Sequence, residues 1–102
     1  MNAKIELLET LKGKATIKCA LIERKKYGDP VNRAKLMLNY TPLELTTFYN
    51  DLDFEYDSGY GQQQLYGTIW LTDGSWIGRG EYDGSEWYEH YRLPVLPQEL
   101  IK

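Results

Sequence analysis

The 102-residue chain is poor in cysteine, with Cys19 alone. One thiol excludes an internal disulfide, and no second cysteine supplies the spacing of a zinc site. No run approaches the ~20 apolar residues of a membrane span. The opening "MNAKIELLETLKGK" mixes charged and apolar residues, unlike a signal peptide. We therefore expect a cytoplasmic protein without a cofactor, a metal or a membrane contact.

Composition predicts one domain, residues 1–102, because 42% apolar content fits a single small core. Nine tyrosines and three tryptophans fill a thin core or form contact surface. Charge is divided unevenly: residues 1–42 hold nine Lys or Arg against four Asp or Glu, and residues 43–102 hold three against eleven. The halves are thus +5 and −8, a split that concerns surface potential and partners rather than the fold.

Helical spacing of Ile5, Leu8 and Leu11 predicts a short N-terminal helix, with Asn2 as its cap and Gly13 after its end. A second helix is indicated at about residues 42–51.

The second helix has the clearest start signal, because Thr41, Pro42 and Glu44 form a capping box with proline at the first helical position. An apolar stripe follows at helical spacing, and it must cover a sheet. Its members are Leu45, Phe48, Tyr49 and Leu52.

Between the two helices, alternation predicts two paired strands. Ile17, Cys19 and Leu21 alternate with polar or small residues within 15–23, and residues 34–40 repeat the pattern. We expect the segment between them to be an exposed basic loop, broken at Gly28, Asp29 and Pro30.

Two Asp-Gly pairs, in "TDGSW" and "YDGSEW", predict a hairpin meander of residues 65–72, 75–82 and 85–92. Two-residue loops at both turns would define two faces. The expected core face carries Leu65, Ile69, Leu71, Trp76, Tyr82, Trp87 and Tyr91, interrupted by Gly67, Gly78 and Gly80. The other face carries Tyr66, Thr68, Trp70, Ile77, Arg79, Glu81, Glu86, Tyr88 and His90. The chain as a whole is therefore predicted to be α+β, with one antiparallel sheet of about five strands and the 42–51 helix packed on one face.

The run "LDFEYDSGYGQQQLYGTIWLTDGSWIGRGEYDGSEWYEHYRLPVLP" resembles a family of small proteins encoded by tailed bacteriophages and prophages. The resemblance covers residues 41–97, and its most specific pieces are "GTIW", "DGSW" and "EYDGSEW". It implies a phage accessory protein made inside an infected bacterium. It implies no catalytic residues.

An acidic ladder, Asp51, Asp53, Glu55 and Asp57, alternates with apolar residues. A calcium loop fails, because Ser58 and Gln64 stand where glycine and a bidentate glutamate are needed. Two interpretations stay open. The ladder is either a mimic of nucleic-acid phosphates, suited to a basic protein surface, or the solvated side of an edge strand.

On the mixed face of the meander, Glu81, Glu86 and His90 invite an enzyme interpretation. The expected pairing puts Glu81 opposite Glu86 and leaves Arg79 diagonal to both, where it neutralises them. One histidine with two carboxylates on an open sheet lacks a pocket, so we expect no enzyme. Aromatic residues there form a patch that either anchors a protein interface or lies under the N-terminal helix or the tail. They are Tyr66, Trp70 and Tyr88, with Ile77 beside them.

Two functions remain. The first is a non-enzymatic protein that binds a host or phage protein with a basic surface, inhibiting a bacterial defence or nucleic-acid-processing enzyme. Its candidate contacts are Asp51, Asp53, Glu55, Asp57, Tyr66, Trp70, Arg79 and Tyr88. The alternative is a nucleic-acid binder in which aromatic rings stack on bases and a basic segment contacts phosphates. That segment comprises Lys18, Arg24, Lys25, Lys26, Arg33 and Lys35. Acids around the aromatics repel phosphates, which favours the first function.

Overall fold

Five strands and two helices follow one another along the chain. In a computed structural model, residues 1–25, 32–57, 62–94 and 97–100 are described. The elements are α1 (Ala3–Leu11), β1 (Ile17–Arg24), β2 (Asn32–Leu36), α2 (Pro42–Asp51), β3 (Leu65–Leu71), β4 (Trp76–Tyr82) and β5 (Ser85–Tyr91), with a short 3-10 turn at Gln98–Leu100. The strands form one antiparallel sheet in the order β2-β1-β3-β4-β5. The predicted α+β class is confirmed. The predicted loop at Gly28, Asp29 and Pro30 lies outside the described residues.

Helix α1 begins where predicted but turns a different side to the sheet. The Asn2 side chain accepts a hydrogen bond from the Ile5 backbone amide at 3.0 Å, as a cap does. Ala3 and Leu7 are buried, whereas Ile5 and Leu8 of the apolar spacing are exposed. The cause is the Ala3 amide, which donates to the Phe54 carbonyl at 2.9 Å and so holds Ala3 inward.

Helix α2 matches the prediction. The Thr41 and Glu44 side chains each bond the other's backbone amide, and Pro42 occupies the first turn. Phe48 and Leu52 are fully buried against the sheet.

Strand β1 contains a bulge that changes its inward residues. Its pairing with β3 shifts between Ile17 and Cys19. Beyond the bulge, Ala20 and Ile22 are buried, whereas Cys19 is only half-buried. The predicted alternation assumed an unbroken strand, and one extra residue sends the following side chains to the opposite face.

The hairpin between β3 and β4 has a three-residue loop, Thr72 to Gly74, instead of the predicted two. Ile69 pairs with Ile77, and the Leu71 amide donates to the Ser75 carbonyl at 2.9 Å. A two-residue loop would have paired Leu71 with Trp76. Because strand side chains alternate, this single-residue difference exchanges the faces of β4 and β5.

The hairpin between β4 and β5 is the predicted two-residue turn. Asp83 and Gly84 both have positive φ, 50° and 86°, which a type I′ turn requires. The predicted register is confirmed, with Arg79 opposite Tyr88 and Glu81 opposite Glu86.

Both helices pack on one face of the sheet, and the main core lies between them and that face. Ile77 belongs to this core, whereas Trp76 is half-buried and Trp87 is exposed. Assigning Trp76, Tyr82, Trp87 and Tyr91 to the core was therefore wrong, for the reason of register given above. The core side chains are Leu7, Ile17, Ala20, Ile22, Ala34, Leu36, Phe48, Leu52, Ile69, Leu71 and Ile77.

Stability should report which face of β4 is inside. We expect Ile77→Ala to lower the free energy of unfolding by ~2 to 5 kcal/mol, because the side chain is 0% exposed and its loss leaves a cavity. Tyr82→Ala in the same strand is the control; its side chain is 77% exposed, so we expect a change within ~0.5 kcal/mol. Urea denaturation measures both, and equal losses would contradict the register.

Candidate functional site

The sheet face opposite α1 and α2, here called the open face, is uncovered by any described helix. Alternation from the buried residues assigns its members. It concentrates large aromatic rings: Trp70, Trp87 and Tyr91 are 44%, 36% and 38% exposed. The open face comprises Cys19, Leu21, Glu23, Arg33, Lys35, Tyr66, Thr68, Trp70, Trp76, Gly78, Gly80, Tyr82, Ser85, Trp87, Glu89 and Tyr91.

Two glycines of β4 let the rings of β5 lie down on the sheet. A Cβ at Gly80 would stand 2.6 Å from the Trp87 indole nitrogen, and one at Gly78 would stand 3.1 Å from Tyr91 Cε2. Trp76 stacks on Tyr91, with ring centroids 6.0 Å apart and planes 18° apart. One face of each ring, Trp87 and Tyr91, therefore packs on the backbone of β4.

Glu89 lies between these two rings and holds both. Trp87 Nε1 donates to Glu89 Oε1 at 2.8 Å, and the Tyr91 hydroxyl donates to Oε2 at 2.5 Å. The hydrogen bond from Tyr91, followed by that from Trp87, lowers the pKa of the Glu89 carboxyl. Residues 87, 89 and 91 share one side of the strand because alternate side chains do.

The β1–β2 end of the open face carries basic side chains. Lys25 Nζ lies 4.9 Å from the Tyr66 ring centroid, and Arg33 Nε lies 3.2 Å from Glu23 Oε2. Lys35 is exposed on β2. The open face is thus basic at one end and aromatic, with an acid, at the other.

Two predicted contact residues, Arg79 and Tyr88, do not lie on the open face. The Arg79 side chain is 2% exposed, and its guanidinium carbon lies 4.3 Å from the Tyr88 ring centroid on the helix-covered side. This corrects the expected patch: Tyr66 and Trp70 remain on the open face, while Ile77 and Tyr88 turn inward. Sequence reasoning missed Trp76, Trp87, Glu89 and Tyr91 as surface residues. The signal was present in Gly78 and Gly80, which the two β5 rings cover.

Arg79 is instead the centre of a buried charge network. Its Nη2 lies 2.6 Å from Glu86 Oε1, and its Nη1 lies 3.3 Å from Glu6 Oε2 on α1. The Tyr56 hydroxyl accepts from Arg79 at 3.1 Å and donates to Glu6. Burial opposes the charge of Arg79, but the surrounding tyrosines and carboxylates together raise its pKa. It is therefore a structural cation rather than a contact residue.

Glu86 completes this network with backbone bonds. Its two carboxylate oxygens accept from the Gln64 amide at 2.8 Å and the Leu65 amide at 3.0 Å, which anchors the start of β3. Glu81, Glu86 and His90 were considered above as an enzyme cluster. Glu81 does not share the partners of Glu86, since it accepts a hydrogen bond from the Gly84 amide in the turn.

Removing the buried cation should be strongly destabilising. We expect Arg79→Met to lower the free energy of unfolding by ~3 to 5 kcal/mol, because Glu86 and Glu6 would be left buried without a counterion. Arg33→Met is the matched control, because the Arg33 side chain is 62% exposed and an ion pair at the surface is worth ~0 to 1 kcal/mol. Urea denaturation compares the two; a loss no larger than that of the control would refute the structural role of Arg79.

The acidic ladder lies beside the N-terminal residues. Asp51 ends α2, and all four acids are exposed, while Phe54 and Tyr56 turn inward. The Asn2 side chain donates to Asp53 at 3.0 Å, and the Met1 amino group lies 3.3 Å from Glu55. Backbone pairing is a single bridge between residues 2 and 55 rather than a strand. Asp53 and Glu55 thus pair with the N-terminal residues, and residues 58–61 of the quoted segment lie outside the described part.

A serine and a histidine meet at the first hairpin. Ser75 Oγ lies 2.5 Å from Asp73 Oδ1 and 2.8 Å from His90 Nε2. The hydrogen bonds from Ser75 lower the pKa of Asp73, so this carboxylate only accepts. The Ser75 hydroxyl donates to Asp73 and also contacts His90, so the three side chains join the turn to β5.

A cleft of about 220 Å³ lies between the end of α1 and α2. The Tyr40 hydroxyl donates to the Ile17 carbonyl at 2.7 Å, and Lys14 Nζ to the Thr10 carbonyl at 2.5 Å, so its polar groups are engaged. No carboxylate or histidine is among the lining residues. The lining is Leu11, Lys14, Ala15, Thr16, Ile17, Tyr40, Leu45 and Tyr49.

Comparison with protein families, curated proteins and solved structures finds no match to this chain. The resemblance to phage-encoded proteins remains an interpretation of the sequence. Among the described residues, no helix has the length and apolarity to span a membrane.

Proposed function

We propose that this chain is a non-enzymatic binding protein whose open face contacts another protein. One observation carries the proposal: both helices cover the same side of the sheet, and Trp70, Trp87 and Tyr91 are exposed together on the other. Exposed aromatic clusters of this kind anchor protein interfaces, because a large ring buries much apolar area while fixing few torsions.

The aromatic rings are also held in place before any partner arrives. Trp87 and Tyr91 rest on glycines and are bonded to Glu89. A group that is already ordered loses little conformational entropy on binding, so more of the contact energy contributes to affinity. This arrangement supports recognition of a defined partner rather than non-specific hydrophobic association.

The nature of the partner follows from the sequence resemblance alone. A phage accessory protein acts inside a bacterium, so we propose a host or phage protein with a basic surface. Inhibition of a bacterial defence or nucleic-acid-processing enzyme belongs to the same proposal. The acidic ladder supplies exposed carboxylates for it, although Asp53 and Glu55 already bond the N-terminal residues.

Capture from bacterial lysate, with and without nuclease, tests this function. We expect the parent chain to retain a host protein after nuclease treatment, and the double variant Trp70→Ser, Trp87→Ser to lose it, because the rings provide the contact. Leu43→Ser is the control: Leu43 is an exposed apolar residue of α2, away from the open face. Unchanged melting temperatures would show that both variants are folded. Capture that survives in the double variant would refute the open face as the contact surface.

Nucleic-acid binding is the second candidate, favoured by Lys25 and Lys35 lying on the same face as Tyr66 and Trp70. Several predicted phosphate contacts are already engaged. Arg24 lies over the Phe54 ring on the helix side, and Arg33 pairs with Glu23. Lys26 lies outside the described residues. The basic charge left for phosphates is small, which is why protein binding ranks first.

For nucleic acid we expect weak binding at physiological salt. A fluorescence titration with single-stranded DNA at ~0.15 M salt should give a dissociation constant weaker than ~1 µM, because a few phosphate contacts lose affinity steeply as salt rises. A dissociation constant tighter than this that rises in Lys35→Glu would reverse the ranking of the two functions.

A further inference from the structure

Glu89 is the only charged residue that β4 and β5 place on the open face. The alternate residues of those strands there are Trp76, Gly78, Gly80, Tyr82, Ser85, Trp87, Glu89 and Tyr91. Both strands are described in full. The part of the open face that β4 and β5 form therefore carries one negative charge, that of Glu89, and no positive charge.

Each Glu89 oxygen accepts one hydrogen bond, from Trp87 or from Tyr91, and retains capacity for another. The lowered pKa of this carboxyl means that it stays ionised at neutral pH. A carboxylate bonded to the edges of two neighbouring aromatic rings has the features that attract a planar cation. The guanidinium of arginine pairs with a carboxylate through two parallel N–H groups and also stacks on aromatic rings.

We propose that Trp87, Glu89 and Tyr91 form an arginine-binding site that receives a guanidinium group from a basic segment of the partner protein. The inference rests on the proposed function and names the chemistry of its partner. Charge complementarity supports arginine over a phosphate, because Glu89 repels an anion at the place where stacking is offered. It supports arginine over a wholly apolar surface, because such a surface would leave Glu89 desolvated without a counterion.

The geometry also explains why two glycines stand opposite these residues. Gly80 faces Trp87 and Gly78 faces Glu89 in the β4–β5 register. A side chain at either position would lift a ring from the sheet, since the added Cβ would meet it at 2.6 or 3.1 Å. A lifted ring would no longer frame the carboxylate from the side.

The test is an NMR titration of the nitrogen-15-labelled chain with the peptide acetyl-Gly-Arg-Gly-Arg-Gly-amide. We expect the Trp87 indole N–H signal, assigned with Trp87→Phe, to shift saturably, because that N–H bonds the carboxylate that receives arginine. The same peptide with citrulline keeps the shape and loses the charge, so it should not shift the signal. Affinity should fall about tenfold in Glu89→Gln, the fold-change for loss of one charge-assisted pair. Glu9→Gln, which removes an equal charge from exposed α1, should leave it unchanged.

Three results would overturn the inference. One is no saturable shift up to about 10 mM peptide, a concentration that detects even very weak binding. Another is equal affinity of the parent chain for the arginine and citrulline peptides, or equal affinity of the parent chain and Glu89→Gln for the arginine peptide. The third is a shift on concentrating the chain alone, which would assign the site to a second copy. If the arginine site fails but the tryptophan double variant still loses its nuclease-resistant partner, the proposed function stands. If the chain binds arginine but captures no such partner, the proposed function is refuted and the arginine site stands.

Discussion

The loop from Thr72 to Gly74 holds β4 and β5 in register against the rest of the sheet. Asp73 accepts hydrogen bonds from both the amide and the hydroxyl of Ser75, and His90 bonds that hydroxyl from β5. These contacts define a three-residue turn in which Ile69 faces Ile77. Every later side chain of the meander takes its face from this turn, because alternation propagates a single choice along both strands.

One consequence of the register is that Arg79 turns inward beneath α1. A buried guanidinium is tolerated only where carboxylates and hydrogen bonds surround it, and Glu86, Glu6 and Tyr56 supply them. Glu86 also bonds the amides before and at the start of β3. The network therefore joins α1, the segment after α2 and three strands, and it links the main core to a smaller apolar cluster of Ala3, Tyr56 and Leu65.

The other consequence is the open face. With Ile77 inside, Trp76, Trp87 and Tyr91 must lie outside, where Gly78 and Gly80 give space to the Tyr91 and Trp87 rings. The structure thus concentrates apolar side chains on a surface that its described helices leave uncovered. Exposure of the rings is unfavourable for an isolated chain, and their burial by a partner is favourable. The aromatic face is therefore the surface proposed to bind that partner.

Local signals in the sequence were sufficient wherever one residue type satisfies one backbone need. The capping box of α2, the Asn2 cap of α1 and the Asp83–Gly84 turn were all predicted correctly, because each depends on neighbours within a few residues. The α+β class followed from the same periodicities. The pairing of Arg79 with Glu86 was also within reach, since the second turn determined that register.

What only the tertiary structure decided is which side of each element faces inward. The bulge after Ile17 and the loop at Asp73 each change the alternation by one step, and the hydrogen bond from Ala3 to Phe54 turns one side of α1 inward. Aromatic residues gave no guidance here, because a tryptophan fits a core and an interface equally well by composition. The burial of Arg79 and the exposure of Trp87 thus depend on contacts between segments far apart in the chain, and a pattern within one strand carries no information about them.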